Sequence, residues 1–375
     1  MKKTLLGTTA LVAVGLLAGP ALASDPLKVT VGGNVVTGFY LVDADNVGPV
    51  SFQDTKVAVV ARNIDIIAEG TLDNGLTAGV NAKLMLGSDW NSNVQAGSTN
   101  FRQLFAYLEG GFGRFEMGGT DGAAYKMHYT SPWFVPGNGV DSPNILNNPV
   151  MGIAISGYGL RQSTFSLLAT DSNKVSYFTP RLAGFQLGLS YTPETTTHSP
   201  NANGLIVIPT GVPGLVEEVI EVGVNYAGSF GGVDLGLDGF YTTGEANVAN
   251  VDPQEMGLGV NIGFSGFTLG GAYYASEDIV SSFTVVPLAV GSDQTVWTAG
   301  LSYGTGPWTV GVAYLNSEFE IPGTSIDSDS WQLGGGYNLG SGVDIGLDLQ
   351  YQEINFPAGP SYEAQSAGLV LAVAF

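Results

Sequence analysis

Val343-Asp344-Ile345-Gly346-Leu347-Asp348-Leu349-Gln350-Tyr351-Gln352 is the stretch that decides the fold class. Apolar side chains stand at Val343, Ile345, Leu347, Leu349 and Tyr351, and Asp344, Gly346, Asp348, Gln350 and Gln352 fall between them. A period of two puts these sets on opposite faces of a β-strand. Val233 to Tyr241 repeats the scheme with Asp234, Gly236 and Asp238 on its polar face, and Phe185 to Tyr191 does so with Gln186, Gly188 and Ser190. A half-buried strand of a soluble sandwich has the same period. The abundance of such segments, and their small polar-side residues, favour a barrel in lipid.

The connections fall into two kinds. Tight turns occur at Asp73-Asn74-Gly75, Gly110 to Gly113, Pro180 to Gly184, Gly228 to Gly232, Ser265-Gly266, Gly304 to Pro307 and Gly340 to Gly342. Longer polar loops lie between them, at about 43–54, 88–98, 120–172, 193–217, 244–253, 277–293, 320–328 and 355–361. This alternation implies an all-β chain of 16 antiparallel transmembrane strands, with both chain ends expected on the short-turn side. The last strand, ending Leu369, Leu371, Val373 and Phe375 on one face, is expected to pair with Val29 to Tyr40 and close the sheet. Tyr191, Tyr226, Tyr241, Tyr303, Trp308, Tyr337 and Tyr351 gather near strand ends, as interfacial girdles require.

Composition agrees. Hydrophobic residues make up 44% and mean hydropathy is +0.21, yet no stretch of the mature chain is long enough for a membrane helix. Gly numbers 55 without a collagen-like period, and there is no cysteine to staple a small exported scaffold. Lys2 and Lys3, the apolar run Leu5 to Leu17 and Ala21-Leu22-Ala23 form a signal peptide over 1–23, leaving the barrel at 24–375. Of 12 basic residues none follows Arg181, whereas acidic residues number 33. Nucleic acid is thereby an improbable partner, because phosphate recognition needs a basic footprint.

In a water-filled barrel the polar face lines the lumen. The inward basic residues are then Lys28, Lys83, Arg102, Arg114 and Lys174, all on early strands. The inward carboxylates of later strands are Glu221, Asp234, Asp238, Asp344 and Asp348. Arg62 is anomalous, falling with Ile64 and Ile66 on the lipid phase. The segment 120–172 is expected to fold inward and narrow the channel, with Asp121 and Asp141 facing the basic wall. Its aromatics Tyr125, Tyr129, Trp133 and Phe134 could begin a slide for a selected sugar or organic cation. Asp43-Ala44-Asp45 and Asp327-Ser328-Asp329 supply oxygen ligands of the kind Ca²⁺ takes in external loops, without a full binding motif. For catalysis, His128 and His198 have no neighbouring Ser/Asp pattern in sequence, and no transition-metal spacing occurs.

Asn173-Lys174-Val175-Ser176-Tyr177-Phe178-Thr179-Pro180-Arg181-Leu182-Ala183-Gly184-Phe185-Gln186-Leu187-Gly188-Leu189-Ser190-Tyr191-Thr192-Pro193-Glu194 resembles a segment of alphaproteobacterial general porins. Phe112-Gly113-Arg114-Phe115-Glu116-Met117-Gly118 resembles the strand entering their constriction loop, and the Asp73-Asn74-Gly75-Leu76 turn and terminal Phe375 also match. The resemblance implies a trimeric diffusion channel for small hydrophilic solutes in outer-membrane lipid. Its third external loop would form the eyelet, with Lys83, Arg102 and Arg114 opposite Asp121 and Asp141. It also implies that the C-terminal strand and Phe375 are read by the outer-membrane assembly machinery. The poverty of basic residues departs from the usual pattern and points to cation preference. Small outward residues Gly33, Ala78 and Ala82 would allow barrel walls to meet closely.

Overall fold

The computed structural model describes residues 27–46, 51–86, 99–141, 160–195, 216–246, 252–278, 292–321, 323–357 and 359–375. The segment 1–23 expected to be a signal peptide, His198 and part of the long loop, 142–159, lie outside the described residues. Sixteen strands follow in chain order: β1 (Lys28–Ala44), β2 (Thr55–Thr71), β3 (Thr77–Leu86), β4 (Thr99–Gly110), β5 (Gly113–Gly119), β6 (Asn173–Phe178), β7 (Phe185–Glu194), β8 (Val216–Phe230), β9 (Val233–Ala246), β10 (Gln254–Phe264), β11 (Phe267–Glu277), β12 (Asp293–Thr305), β13 (Trp308–Ile321), β14 (Thr324–Gly340), β15 (Val343–Asn355) and β16 (Tyr362–Ala374). A short helix, α1 (Ala123–Lys126), lies between β5 and β6. Each strand pairs antiparallel with its chain neighbours, and β1 pairs with β16, so the sheet is a closed barrel without free edges. Gly33 and Phe375 exchange backbone hydrogen bonds of 2.9 and 3.0 Å at the seam.

The alternation translates into two faces. Leu258, Leu333, Leu347 and Leu369 are exposed on the outside, while Gly257, Gln332, Asp348 and Gly368, on the opposite phase, turn inward. An apolar exterior around a closed hydrogen-bonded wall is what hydrocarbon demands. Outward aromatics recur six positions apart on successive strands, as Phe267 and Tyr273, Trp297 and Tyr303, Trp308 and Tyr314, and Trp331 and Tyr337. They pack across strands, Phe267 on Tyr303 and Trp308 on Tyr337 each at 4.5 Å, and Tyr314 on Trp331 at 4.6 Å. Six positions span about 20 Å of strand, which separates two girdles along the wall.

Three expectations need correction. The 320–328 loop is nearly absent: β13 ends at Ile321 and β14 starts at Thr324. Asp327 and Asp329 therefore sit in a strand, on one face, and Asp43 lies in the last two residues of β1 rather than in a loop. Beyond the apolar band both faces are polar, so the hydrophobic period vanishes while the backbone ladder continues. Gly33 is not an open contact surface either, because the Phe375 ring covers it: a Cβ there would stand 2.8 Å from Phe375 Cζ.

Arg62 keeps its anomalous phase. The β1–β2 register shifts between Val36 and Thr37, where β2 carries one extra residue, Val60. Below this bulge Arg62 pairs with Val35 and Ile66 with Val31, which is exposed on the outer face. Register thus places Arg62 on the outward side of the wall.

Candidate functional site

The segment after β5 folds into the barrel and runs along its inner wall as two tiers. The outgoing tier, 120–141, passes the inner faces from β7 to β15 and reaches β1. Glycines make the track it follows. A Cβ on Gly188 would meet Met127 at 2.5 Å, one on Gly236 would meet the Tyr129 ring, one on Gly311 would meet Phe134 at 2.3 Å, and one on Gly346 would meet Pro136 at 2.5 Å. These inward glycines replace side chains with space that the loop occupies.

Polar side chains of the wall then hold the loop. Ser190 accepts from the Ala123 amide at 2.8 Å. Asp238 accepts from the Tyr129 amide at 2.7 Å and contacts His128 Nδ1 at 2.8 Å. Thr298 donates to Ser131 Oγ at 2.9 Å, and Asn138 donates to Asp348 at 2.5 Å. Asp348 also accepts from Tyr40 at 3.1 Å, Gln332 at 2.9 Å and Gln350 at 2.8 Å. The returning tier, 160–172, lies nearer the loop end. Arg161 donates to Glu255 at 2.9 Å and to the Tyr274 hydroxyl at 2.6 Å, and Ser166 donates to Glu255 at 2.5 Å.

The two ends of the loop are tied together at β6. Buried Lys174 donates from Nζ to the carbonyls of Thr120, Ala169 (2.5 Å) and Ser172 (3.1 Å). Three carbonyls satisfy the three donors of one ammonium. Beside it Gly122 sits so tightly on buried Glu221 that a Cβ would fall 1.5 Å from Oε2.

This arrangement redistributes the expected pore charges. Asp238 and Asp348 have the inward phase anticipated for them, but they are covered by the loop and are not open lumen charges. Asp121 lies within electrostatic reach of Arg102 and Lys174 at the root of the loop, whereas Asp141 is held inside the loop itself. Asp121 accepts from Gln103 at 2.8 Å and Thr170 at 2.6 Å. Asp141 is fully buried, accepting from the Thr164 amide at 2.9 Å and from the hydroxyls of Thr130 and Thr164. Asp234 remains exposed, and Asp344 is half-exposed, accepting from Asn338 at 2.7 Å. The phase fixed which face these carboxylates occupy; the loop decides which of them meets water.

The basic side is equally differentiated. Arg102 pairs with Asp171 at 2.6 Å. Arg114 pairs with Glu109 at 2.9 Å and Glu116 at 2.8 Å and lies 3.8 Å above the Tyr107 ring. Lys126 on α1 reaches Glu116 at 2.5 Å. Lys83 is half-exposed, with Asp65 as its β2 register partner. Together with half-exposed Asn63 and Asn81, Lys83 and Asp65 mark an arc of β2 and β3 across from the loop's main track. Glu116, Asp171, Arg161 and Glu255 were not singled out from sequence. Glu255 shares its phase with Gly257 and Gly259, a signal that could have placed it inside.

One arrangement was invisible in sequence. His128 lies between Asp238 and Thr164, with Nε2 3.0 Å from the Thr164 hydroxyl. The order carboxylate–imidazole–hydroxyl is that of a nucleophilic triad. Here Thr164 is fully buried and its hydroxyl donates to Asp141, so the group buttresses the two tiers against each other. Three of the four Ca²⁺ candidates are engaged by protein partners. Asp45 accepts from the Glu363 amide at 2.9 Å, Asp327 from Asn355 at 3.2 Å, and Asp329 from Asn316 at 3.2 Å and from Tyr314. Among the described residues no three His, Asp or Glu side chains converge as a metal cage.

A family model described as Gram-negative porin matches residues 7–356. An uncharacterized protein of Rickettsia bellii (strain RML369-C) is 26% identical over 165 residues, 36% of this chain and 37% of that protein. The matched region thus spans little more than a third of that relative. Among solved structures, an anion-selective porin from Comamonas acidovorans superposes with a TM-score of 0.62 at 18% identity, covering 94% of this chain and 100% of that one. The trimer form of OmpT, an outer membrane protein of Vibrio cholerae, gives 0.61 at 14% identity with the same coverage.

Proposed function

The chain belongs to the Gram-negative porin family, and from that premise we propose that it is a water-filled, cation-preferring channel for passive diffusion of ions and small hydrophilic solutes. The observation that carries this reading is the loop's course. It follows the inner wall on a glycine track and leaves the inward polar arc of β2 and β3 half-exposed. A sixteen-stranded barrel is wide enough for an aqueous passage beside such a loop. The narrow part would lie between Lys83 and Asp65 on the wall and the exposed loop residue Trp133. Arg102, Arg114 and Lys126 are neutralised locally by Asp171, Glu109 and Glu116. The excess of acidic over basic residues then sets the sign of the mean potential.

The alphaproteobacterial sequence pattern supports a trimer with its tight turns, the start of β1 and the end of β16 on the periplasmic side. It also supports removal of 1–23 on export and recognition of Phe375 during assembly. Outward Arg62 fits a wall covered by another copy better than one facing lipid, since a charge at mid-membrane depth is costly. A receptor or structural barrel is the competing class. Uptake into proteoliposomes decides between them. Flux of neutral solutes should fall with solute size and rise linearly with concentration. Absence of flux from folded protein would remove the channel reading, and saturation at low concentration would favour a solute-selective one.

A further inference from the structure

On the turn side of the outgoing tier a cavity of about 390 Å³ opens in the inner wall, bounded by Trp133, Asn34, Thr309, Asn338 and Asp344. It is within the range of small-molecule sites. Its parts combine one aromatic surface with a carboxylate. Trp133 is 46% exposed, the most open aromatic of the described loop residues, yet it is not loose. The indole rests on the backbone at Gly139, where a Cβ would fall 2.5 Å from Trp133 Cδ1. Asn138, beside that contact, is anchored on Asp348, so the ring is held at a fixed place over the cavity. Asp344 is held as well, its Oδ1 accepting from Asn338 Nδ2, while Asn338 Oδ1 accepts from the Gly340 amide at 3.1 Å. Asn34 is oriented by Asn63, which donates to its Oδ1 at 3.1 Å.

Charge selects the ligand class. No Lys or Arg follows Arg181 in the sequence, so β8 to β16 contribute no cation to this wall. Among the described residues no ion pair involves Asp344. A neutral sugar would use the ring and the amides and would leave this carboxylate without a counter-charge. A positively charged ligand with an apolar body satisfies both groups, the cation against carboxylate and indole face, the body against Phe134 and Pro136.

We propose that this cavity is a binding station for small organic cations, substituted ammonium or guanidinium compounds, on the turn side of the constriction. The station deepens the diffusion reading, on which its role in permeation rests: a weak site beyond the narrowing holds a cation briefly before release. Phenethylammonium is a suitable probe, with uncharged 2-phenylethanol and maltotriose as controls. Equilibrium binding to the detergent-purified protein is measured by calorimetry, separately from KCl conductance in planar bilayers. Saturable binding of phenethylammonium is expected, with 2-phenylethanol and maltotriose much weaker. Asp344→Asn and Trp133→Leu should each weaken it by about tenfold, and Trp133→Phe, which keeps an aromatic face, by less. Barrel folding of every variant is verified by its heat-dependent gel shift. No saturable binding to wild type, binding unchanged in both variants, or equal binding of either neutral control would overturn the proposal. Lack of KCl conductance alongside intact binding would instead remove the channel reading and leave the site.

Discussion

Asp348 shows how one residue can be placed correctly by sequence and still be misjudged. Its phase put it in the lumen, and it is there, but under the loop with four donors converging on it. A period of two reports the face of a residue and says nothing about what later covers that face. Replacement by Leu would leave Asn138, Gln332 and Gln350 without their shared acceptor, each unmet buried donor costing about 1–3 kcal/mol. Asp348→Leu should therefore free the loop tip while leaving the barrel closed. Single-channel records are expected to show raised and noisier conductance; an unaltered, quiet channel would mean the anchor carries no strain of the loop. Gly122 offers the opposite experiment. Gly122→Val drives a side chain into Glu221, and the start of the loop must leave the wall. Reduced conductance with normal barrel yield is expected, and wild-type currents would show that the seat at Glu221 is not rigid.

At the scale of elements, the strands were legible because most are long and repeat one simple pattern. Seven turns rich in Gly, and loops between them, sufficed to count sixteen strands and to close β1 on β16. Legibility failed at 320–328, where Ser325, Asp327 and Asp329 are polar on a face that is apolar further down the strand. It failed more fully for the loop, whose path depends on contacts with ten strands distant in sequence. The glycines of that path stand on the inward phase, and the space they leave is taken by the loop. The strand phase puts Lys174 among the inward basic residues, and its ammonium ties both ends of the loop to β6. Lys174→Met would orphan three carbonyls at that knot. Limited proteolysis should then cut within 120–172 while the heat-dependent gel shift of the barrel persists. Resistance equal to wild type would assign the knot to packing alone.

At the scale of the whole molecule, an apolar exterior, a closed wall and an acidic interior have to act together. The outward Arg62 and the small outward Ala78 and Ala82 belong to the same early-strand sector as the seam. A native mass of three chains in mild detergent is expected, and Arg62→Glu should shift it toward one chain. A monomeric wild type would contradict the trimer. Permeation tests the central claim. With Arg102, Arg114 and Lys126 paired to carboxylates, the exposed Asp234 and half-exposed Asp344 dominate the late-strand wall. Their influence should shrink as salt rises, since the Debye length falls from about 10 Å at 0.1 M to about 3 Å at 1 M. Asp234→Asn combined with Asp344→Asn should lower the preference, more so than changes at the buried Asp141. The most direct measurement is the zero-current potential of the purified protein in a planar bilayer under a KCl gradient. The expected result is steady conductance with a potential of the sign set by potassium preference, declining at high salt. A potential of the sign set by chloride would contradict the cation preference, and a folded barrel passing no current would contradict the channel itself.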